Sequence, residues 1–318
     1  MGISKMTKGL CVSILVLAIV ISVSHIAEAG VTTGNVTKFA DNIPDGVFIE
    51  GPVFDREGNL WFVEIGSGCI ARITSAGKYE NIIDLGYKWG PNGMKFDRNG
   101  NLIICHRQRG ILELNPDTLK VRTIVPDFYG KKFNGPNDLI LDSKGWAYFT
   151  DPWTTGVHNP TGAVYRVNLN TGVIFKLMDN LAFPNGIQLS EDEKILYIGE
   201  CATDRVIQAI LTEDGLSAGW VSIWTRMSNP GGGGPDGMCY DVKGNVYVAI
   251  WDAGGVAVLG PRGKQIDFIQ VPEGYGTTYA IFGGPDNKTL YILESNGNII
   301  WKVGVKNPGR PLYHETWK

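Results

Sequence analysis

Five residues with oxygen-bearing side chains open equivalent segments of the chain: Glu50-Gly51-Pro52, Asn92-Gly93-Met94, Asn137-Asp138-Leu139, Asn185-Gly186-Ile187 and Asp236-Gly237-Met238. Two are carboxylates and three are carboxamides. Brought to one point, they make an oxygen-only donor set with two formal negative charges. Calcium takes roughly 6–8 oxygen ligands and tolerates irregular geometry, so Ca2+ is the expected ion, with another divalent cation such as magnesium second. Zinc is disfavoured, because the set contains no His or Cys. One or two Asn-Gly or Asp-Gly pairs would be ordinary turn starters. Five at the same repeat position point to a metal.

A second polar set ends the apolar run that follows each segment: Glu64, His106, Asp151, Glu200 and Glu294. These residues are expected to return to the same end of the molecule, where they orient ligands or move protons. His106, flanked by Arg107 and Arg109, leads this set.

The elements that must position these groups follow from the repeat. Segments beginning at Glu50, Asn92, Asn137, Asn185 and Asp236 recur at intervals of roughly 42–51 residues, and a degenerate sixth is aligned at Ala280. Each is followed by a Gly/Asn/Asp turn and a second short run, as in Leu60 to Val63, Leu102 to Cys105 and Val246 to Ile250. Short runs rich in Val, Ile, Phe and Tyr between such turns are strands in hairpins. Four strands per repeat of this length predict an all-β, six-bladed β-propeller. The last repeat has three strand candidates. Val36 to Asp41 resembles the outer strands of other blades and is expected to close the ring as the fourth. The first strand of a blade lines the propeller axis, which is what gathers the five oxygen-bearing residues.

Composition agrees. The 318 residues are 43% hydrophobic and 19% charged, with 42 Gly and a net charge of −3. That much glycine favours tight turns over helical bundles, and the absence of a basic stripe leaves no basis for a nucleic-acid partner. Lys5 and Lys8, the apolar stretch Leu10 to Val23 and Ala27-Glu28-Ala29 predict a cleaved leader over residues 1–29. The mature domain then spans 30–318 as one propeller, exported to the periplasm or secreted, with no membrane anchor after cleavage. Cys69, Cys105, Cys201 and Cys239 have no zinc-site spacing, and disulfides and free thiols both fit an exported chain of this size.

Pro235-Asp236-Gly237-Met238, Pro184-Asn185-Gly186-Ile187 and Gly135-Pro136-Asn137-Asp138 with Phe149-Thr150-Asp151-Pro152 resemble the senescence marker protein/gluconolactonase family over about residues 40–310. The resemblance implies a six-bladed, calcium-dependent lactonase acting on a small-molecule lactone, with a sugar lactone such as gluconolactone foremost. It implies metal ligation by Glu50, Asn185 and Asp236, with Asn137 serving as ligand or substrate contact. It also implies that Asp236 doubles as the partner of the attacking water; should the base lie elsewhere, His106 and Asp138 are the next candidates. Asn92-Gly93-Met94 with His106-Arg107 resembles the bacterial gluconolactonase-like branch, and Asn92, Arg107 and Arg109 are expected substrate contacts. No Gly-x-Ser-x-Gly elbow is present, and Gly231 to Gly234 lacks the ending of a phosphate loop. A strictosidine-synthase-like condensing enzyme and a non-catalytic binding propeller are the alternatives.

Overall fold

Each repeat begins with a hairpin whose turn is closed by a side chain. Asp55 accepts the N–H groups of Glu57 and Asn59 at 3.0 and 2.8 Å. Asp97, Asp142 and Asp241 do the same in their repeats. Ser190 replaces the aspartate in the fourth repeat, its hydroxyl accepting from Lys194 and Ile195. Such side-chain-to-backbone bonds hold the turn before any long-range contact forms.

The computed structural model describes residues 30–227 and 233–311, which carry 24 strands in six four-stranded antiparallel sheets. The outermost element is β1 (Thr37–Ala40). Blade one is β2 (Ile49–Phe54), β3 (Leu60–Glu64), β4 (Cys69–Ile73) and β5 (Tyr79–Asp84). Blade two is β6 (Pro91–Phe96), β7 (Leu102–His106), β8 (Gly110–Leu114) and β9 (Val121–Val125). Blade three is β10 (Leu139–Leu141), β11 (Trp146–Asp151), β12 (Gly162–Asn168) and β13 (Ile174–Leu181). Blade four is β14 (Pro184–Leu189), β15 (Ile195–Glu200), β16 (Arg205–Leu211) and β17 (Ala218–Arg226). Blade five is β18 (Pro235–Tyr240), β19 (Val246–Ile250), β20 (Gly255–Leu259) and β21 (Gln265–Gln270). Blade six is β22 (Thr277–Gly283), β23 (Thr289–Glu294) and β24 (Ile299–Gly304), completed by β1 on β24. The expected closure by the N-terminal strand is therefore present. The expected leader over 1–29 lies outside the described residues.

Blades pack face to face through alternate side chains. In β3, Leu60 and Phe62 join Tyr279, Ile281 and Leu293 of blade six. Trp61 and Val63 of the same strand join Met94, Phe96 and Ile104 of blade two. The period of two thus feeds two interfaces at once, and this is why the second strands read as unbroken apolar runs. Cys69, Cys105, Cys201 and Cys239 are all free, and all but Cys201 are buried.

Inner strands approach each other so closely at the axis that they require glycine. A Cβ on Gly51, whose φ is +54°, would lie 2.5 Å from the Asn92 carbonyl oxygen of the next blade. One on Gly237 would run into the Tyr279 ring. The residue pair of oxygen donor plus Gly is therefore a packing signature as well as a chemical one. Each of β2, β6, β14 and β18 also carries a bulge at this point, which bends the strand and turns its first residues toward the axis.

Candidate functional site

Glu50, Asn92, Asn185 and Asp236 each stand second in the inner strand of their blade, and Asn137 lies two residues ahead of β10. All five line one cavity of about 350 Å3 at the end where the inner strands begin. The sixth blade corrects the sequence alignment. Thr277 pairs with Glu294 as Ile49 pairs with Glu64 and Pro91 with His106, so Thr278 holds the position assigned to Ala280. The bulge between Thr277 and Tyr279 shifts the register in a way that spacing could not reveal. Thr278 turns its hydroxyl to the Ile49 carbonyl at 3.1 Å, and Ala280 packs in the interface with blade five.

The floor of the cavity is short of positive charge. Burial raises the Glu50 carboxyl well above its ordinary range, and the charges of Asp236 and Asp138 push it further. The Gly51 N–H at 2.6 Å and Lys95 oppose this. Asp236 is raised by burial and by Asp138, and is eased by bonds from the Gly237 N–H and the Asn185 carboxamide. Among the described residues the buried ammonium of Lys95 offsets Glu50 and Asp138, while none is found to offset Asp236. Asn92 Oδ1, also buried, has no hydrogen-bond partner among the described residues. Unpaired buried acceptors beside excess negative charge are costly unless a cation joins them.

Three of the expected catalytic and substrate residues stand outside the lining. Asp138 lies beneath the floor, accepting from Leu139 N–H at 2.8 Å and from the Tyr279 hydroxyl at 3.1 Å, with Lys95 Nζ 3.9 Å away. Its neighbour Asn137 lines the cavity, so adjacent side chains diverge. His106 is fully buried behind Gly90 and against Tyr87, with Nδ1 accepting the Gln108 N–H. Burial, then the charges of Arg109 and Arg107, lowers its pKa to about 4. Arg109 does not reach the cavity. The remaining members of the second polar set hold loops instead of facing the mouth. Asp151 accepts from Gly135 and Asn134, Glu294 from Gly276 and Gly297, and Glu200 from Ala182 and Arg205. Glu64 takes the Tyr79 hydroxyl at 2.7 Å. Strand ends at this rim must satisfy backbone N–H groups of the neighbouring loops, and Asp151, Glu200 and Glu294 do so.

The walls are apolar and mostly aromatic: Phe48, Trp89, Trp153, Phe183 and Trp251, with Ile65, Cys201 and Ala202. None of these aromatic residues belongs to the two polar sets from which the sequence analysis starts. Phe133 packs on Phe149 and Tyr165 in the core, and Tyr275 is exposed and does not line the cavity. A usable signal existed. Ile65, Arg107, Cys201 and Trp251 each directly follow the last residue of a second strand. Phe48, Trp89 and Phe183, just ahead of inner strands, adopt positive φ of 53°, 60° and 57°. Non-glycine residues pay for that conformation, and it aims three rings over the floor.

Residues 48–296 match the profile of the SMP-30/gluconolactonase/LRE-like region. The chain is 30% identical over 287 residues to lactonase drp35 of Staphylococcus aureus, covering 86% of this chain and 87% of that one. Its fold is similar to that of a calcium-binding regucalcin from Agrobacterium tumefaciens, with a TM-score of 0.74, 22% identity and coverage of 90% and 97%. It is likewise similar to a gluconolactonase of Xanthomonas campestris, with a TM-score of 0.74, 21% identity and coverage of 89% and 94%.

Proposed function

The chain belongs to the SMP-30/gluconolactonase/LRE-like family, and from that premise we propose that it is a calcium-dependent lactonase. The observation that carries the reading is the floor itself: Glu50, Asn92, Asn137, Asn185 and Asp236 gathered in one cavity, with Asn92 Oδ1 buried and unpartnered. Two carboxylates and three carboxamides fit a hard cation. The five donors include no His or Cys, which disfavours a softer ion. Glu50, Asn185 and Asp236 would hold calcium, with Asn137 and Asn92 beside it.

Bound there, calcium supplies Lewis acidity to the lactone carbonyl and countercharge for the oxyanion. The chain supplies the rest. Asp236 accepts a proton from water as the water oxygen adds to the carbonyl carbon. The ring C–O bond then breaks, and that proton passes to the ring oxygen, leaving a hydroxy acid. The aromatic walls exclude bulk water from the carboxylates and strengthen their action.

The test is hydrolysis of a panel of sugar, aliphatic and aromatic lactones by the purified protein, with and without chelator. The reading expects turnover that chelation abolishes and calcium restores, with close to one calcium retained per chain after dialysis. Turnover that is indifferent to chelator would remove the metal from the mechanism. No turnover of any lactone would remove the lactonase.

A further inference from the structure

Among the described residues Arg107 is the one cation in the cavity lining, and it lacks the carboxylate partner that four other arginines have. Arg72, Arg122, Arg166 and Arg205 sit on Glu80, Glu113, Asp142 and Glu200. The Arg107 guanidinium has no ion pair and no hydrogen bond among the described residues. Its Cζ lies over the Trp153 ring, 3.2 Å from the centroid. Burial alone, with no charged group contributing, pushes its pKa down to about 10, which leaves it cationic at neutral pH.

The fold is shaped to keep it there. Gly135, at φ +151°, lies under both side chains: a Cβ would fall 2.6 Å from Arg107 Cγ and 2.7 Å from Trp153 Cβ. The Gly135 N–H is fastened to Asp151 at 2.6 Å. Arg107 comes from blade two and Trp153 from blade three, so the stack is a tertiary feature. A stacked guanidinium has little rotational freedom left and keeps its in-plane N–H donors free for an acceptor. The rest of the wall offers mostly aromatic, apolar surface, with the carboxamides confined to the floor, and three of its aromatic residues are held at positive φ.

We infer that Arg107 is a specificity-determining residue and that the natural substrate is a lactone with a flat, apolar body carrying one carboxylate, not a polyhydroxylated sugar lactone. The inference rests on the lactonase reading. The metal floor takes the lactone carbonyl, the aromatic walls take the body, and the Arg107 fork takes the substituent carboxylate in a charge-assisted contact.

The test uses three lactones with the calcium-loaded protein: phthalide bearing a carboxylate, its neutral N-methylamide, and glucono-δ-lactone. The acid is expected to exceed the amide in kcat/KM by about 10–100-fold, mainly through KM, as fits one hydrogen bond to a charged group. Glucono-δ-lactone should be the poorest of the three. In Arg107→Gln the acid-to-amide ratio should fall to about one, while Arg107→Lys retains part of it. Equal use of acid and amide, a preference that survives Arg107→Gln, or faster turnover of glucono-δ-lactone would overturn the inference. A calorimetric titration with indane carboxylate and its amide, which contain no lactone, reads recognition without turnover. Acid-selective binding lost in Arg107→Gln supports the assignment even where no lactone is opened, and that second result alone would count against the lactonase.

Discussion

The Tyr279 hydroxyl donates to Asp138 Oδ2 at 3.1 Å, joining blades six and three. The same hydroxyl lies 3.2 Å from Lys95 Nζ, so blade two enters the network as well. Asp138 and Tyr279 occupy the places where Gly51, Gly93, Gly186 and Gly237 stand in the other repeats. Where four repeats need glycine to let inner strands pass, two use side chains to fill the axis beneath the site. The floor of the cavity is therefore backed by a buried polar plug.

Replacing Tyr279 with Phe should expose the worth of that plug. Lys95 and Asp138 each lose a buried partner, at about 1–3 kcal/mol for an unsatisfied group. Urea unfolding at neutral pH should show a loss in that range, with calcium content unchanged. A change under about 0.5 kcal/mol would mean that water takes the place of the hydroxyl.

Asp236→Asn separates ligation from proton handling. The carboxamide keeps the shape and one oxygen but loses the charge and the basic function. If Asp236 takes the proton, kcat should stay about 10²–10⁴-fold down at saturating calcium. Recovery of near-normal turnover with excess calcium would make it a ligand only.

Asn92→Val removes the unpartnered acceptor while roughly keeping bulk. The expected result is a raised KM or lowered kcat, with metal affinity within about tenfold, roughly 1.4 kcal/mol. A much larger loss of calcium affinity would place Asn92 among the direct ligands.

His106 supplies a pH signature. Its folded pKa of about 4 lies below the ordinary value of 6.5, so its neutral form belongs to the folded state. Protonation then favours unfolding: the stabilising contribution is complete above pH 6.5 and is lost as pH falls from 6.5 toward 4. Between pH 7 and pH 5 the protein should lose about 1–2 kcal/mol more than a His106→Gln variant does. Parallel stability curves for the two proteins would show that His106 is not held neutral by the fold.

Much of this protein is local physics and could be read along the chain. The aspartate-closed turns after Phe54, Phe96 and Leu141 and the period-two apolar runs need only neighbouring residues, so blade count, strand order and ring closure were legible. So were the five floor residues, because a repeat places equivalent positions around one axis. Contacts between blades decided the rest. The bulge in β22, set by its pairing with β23, put Thr278 where spacing had put Ala280. Strand direction separated Asn137 in the cavity from Asp138 beneath it. Satisfaction of loop N–H groups turned Asp151, Glu200 and Glu294 from expected site residues into loop anchors. The Arg107–Trp153 stack needed Gly135 beneath it, and no periodicity joins residues 107, 135 and 153. Hairpin chemistry is written within a few residues of itself, whereas register, orientation and stacking exist only once six blades have closed on one another.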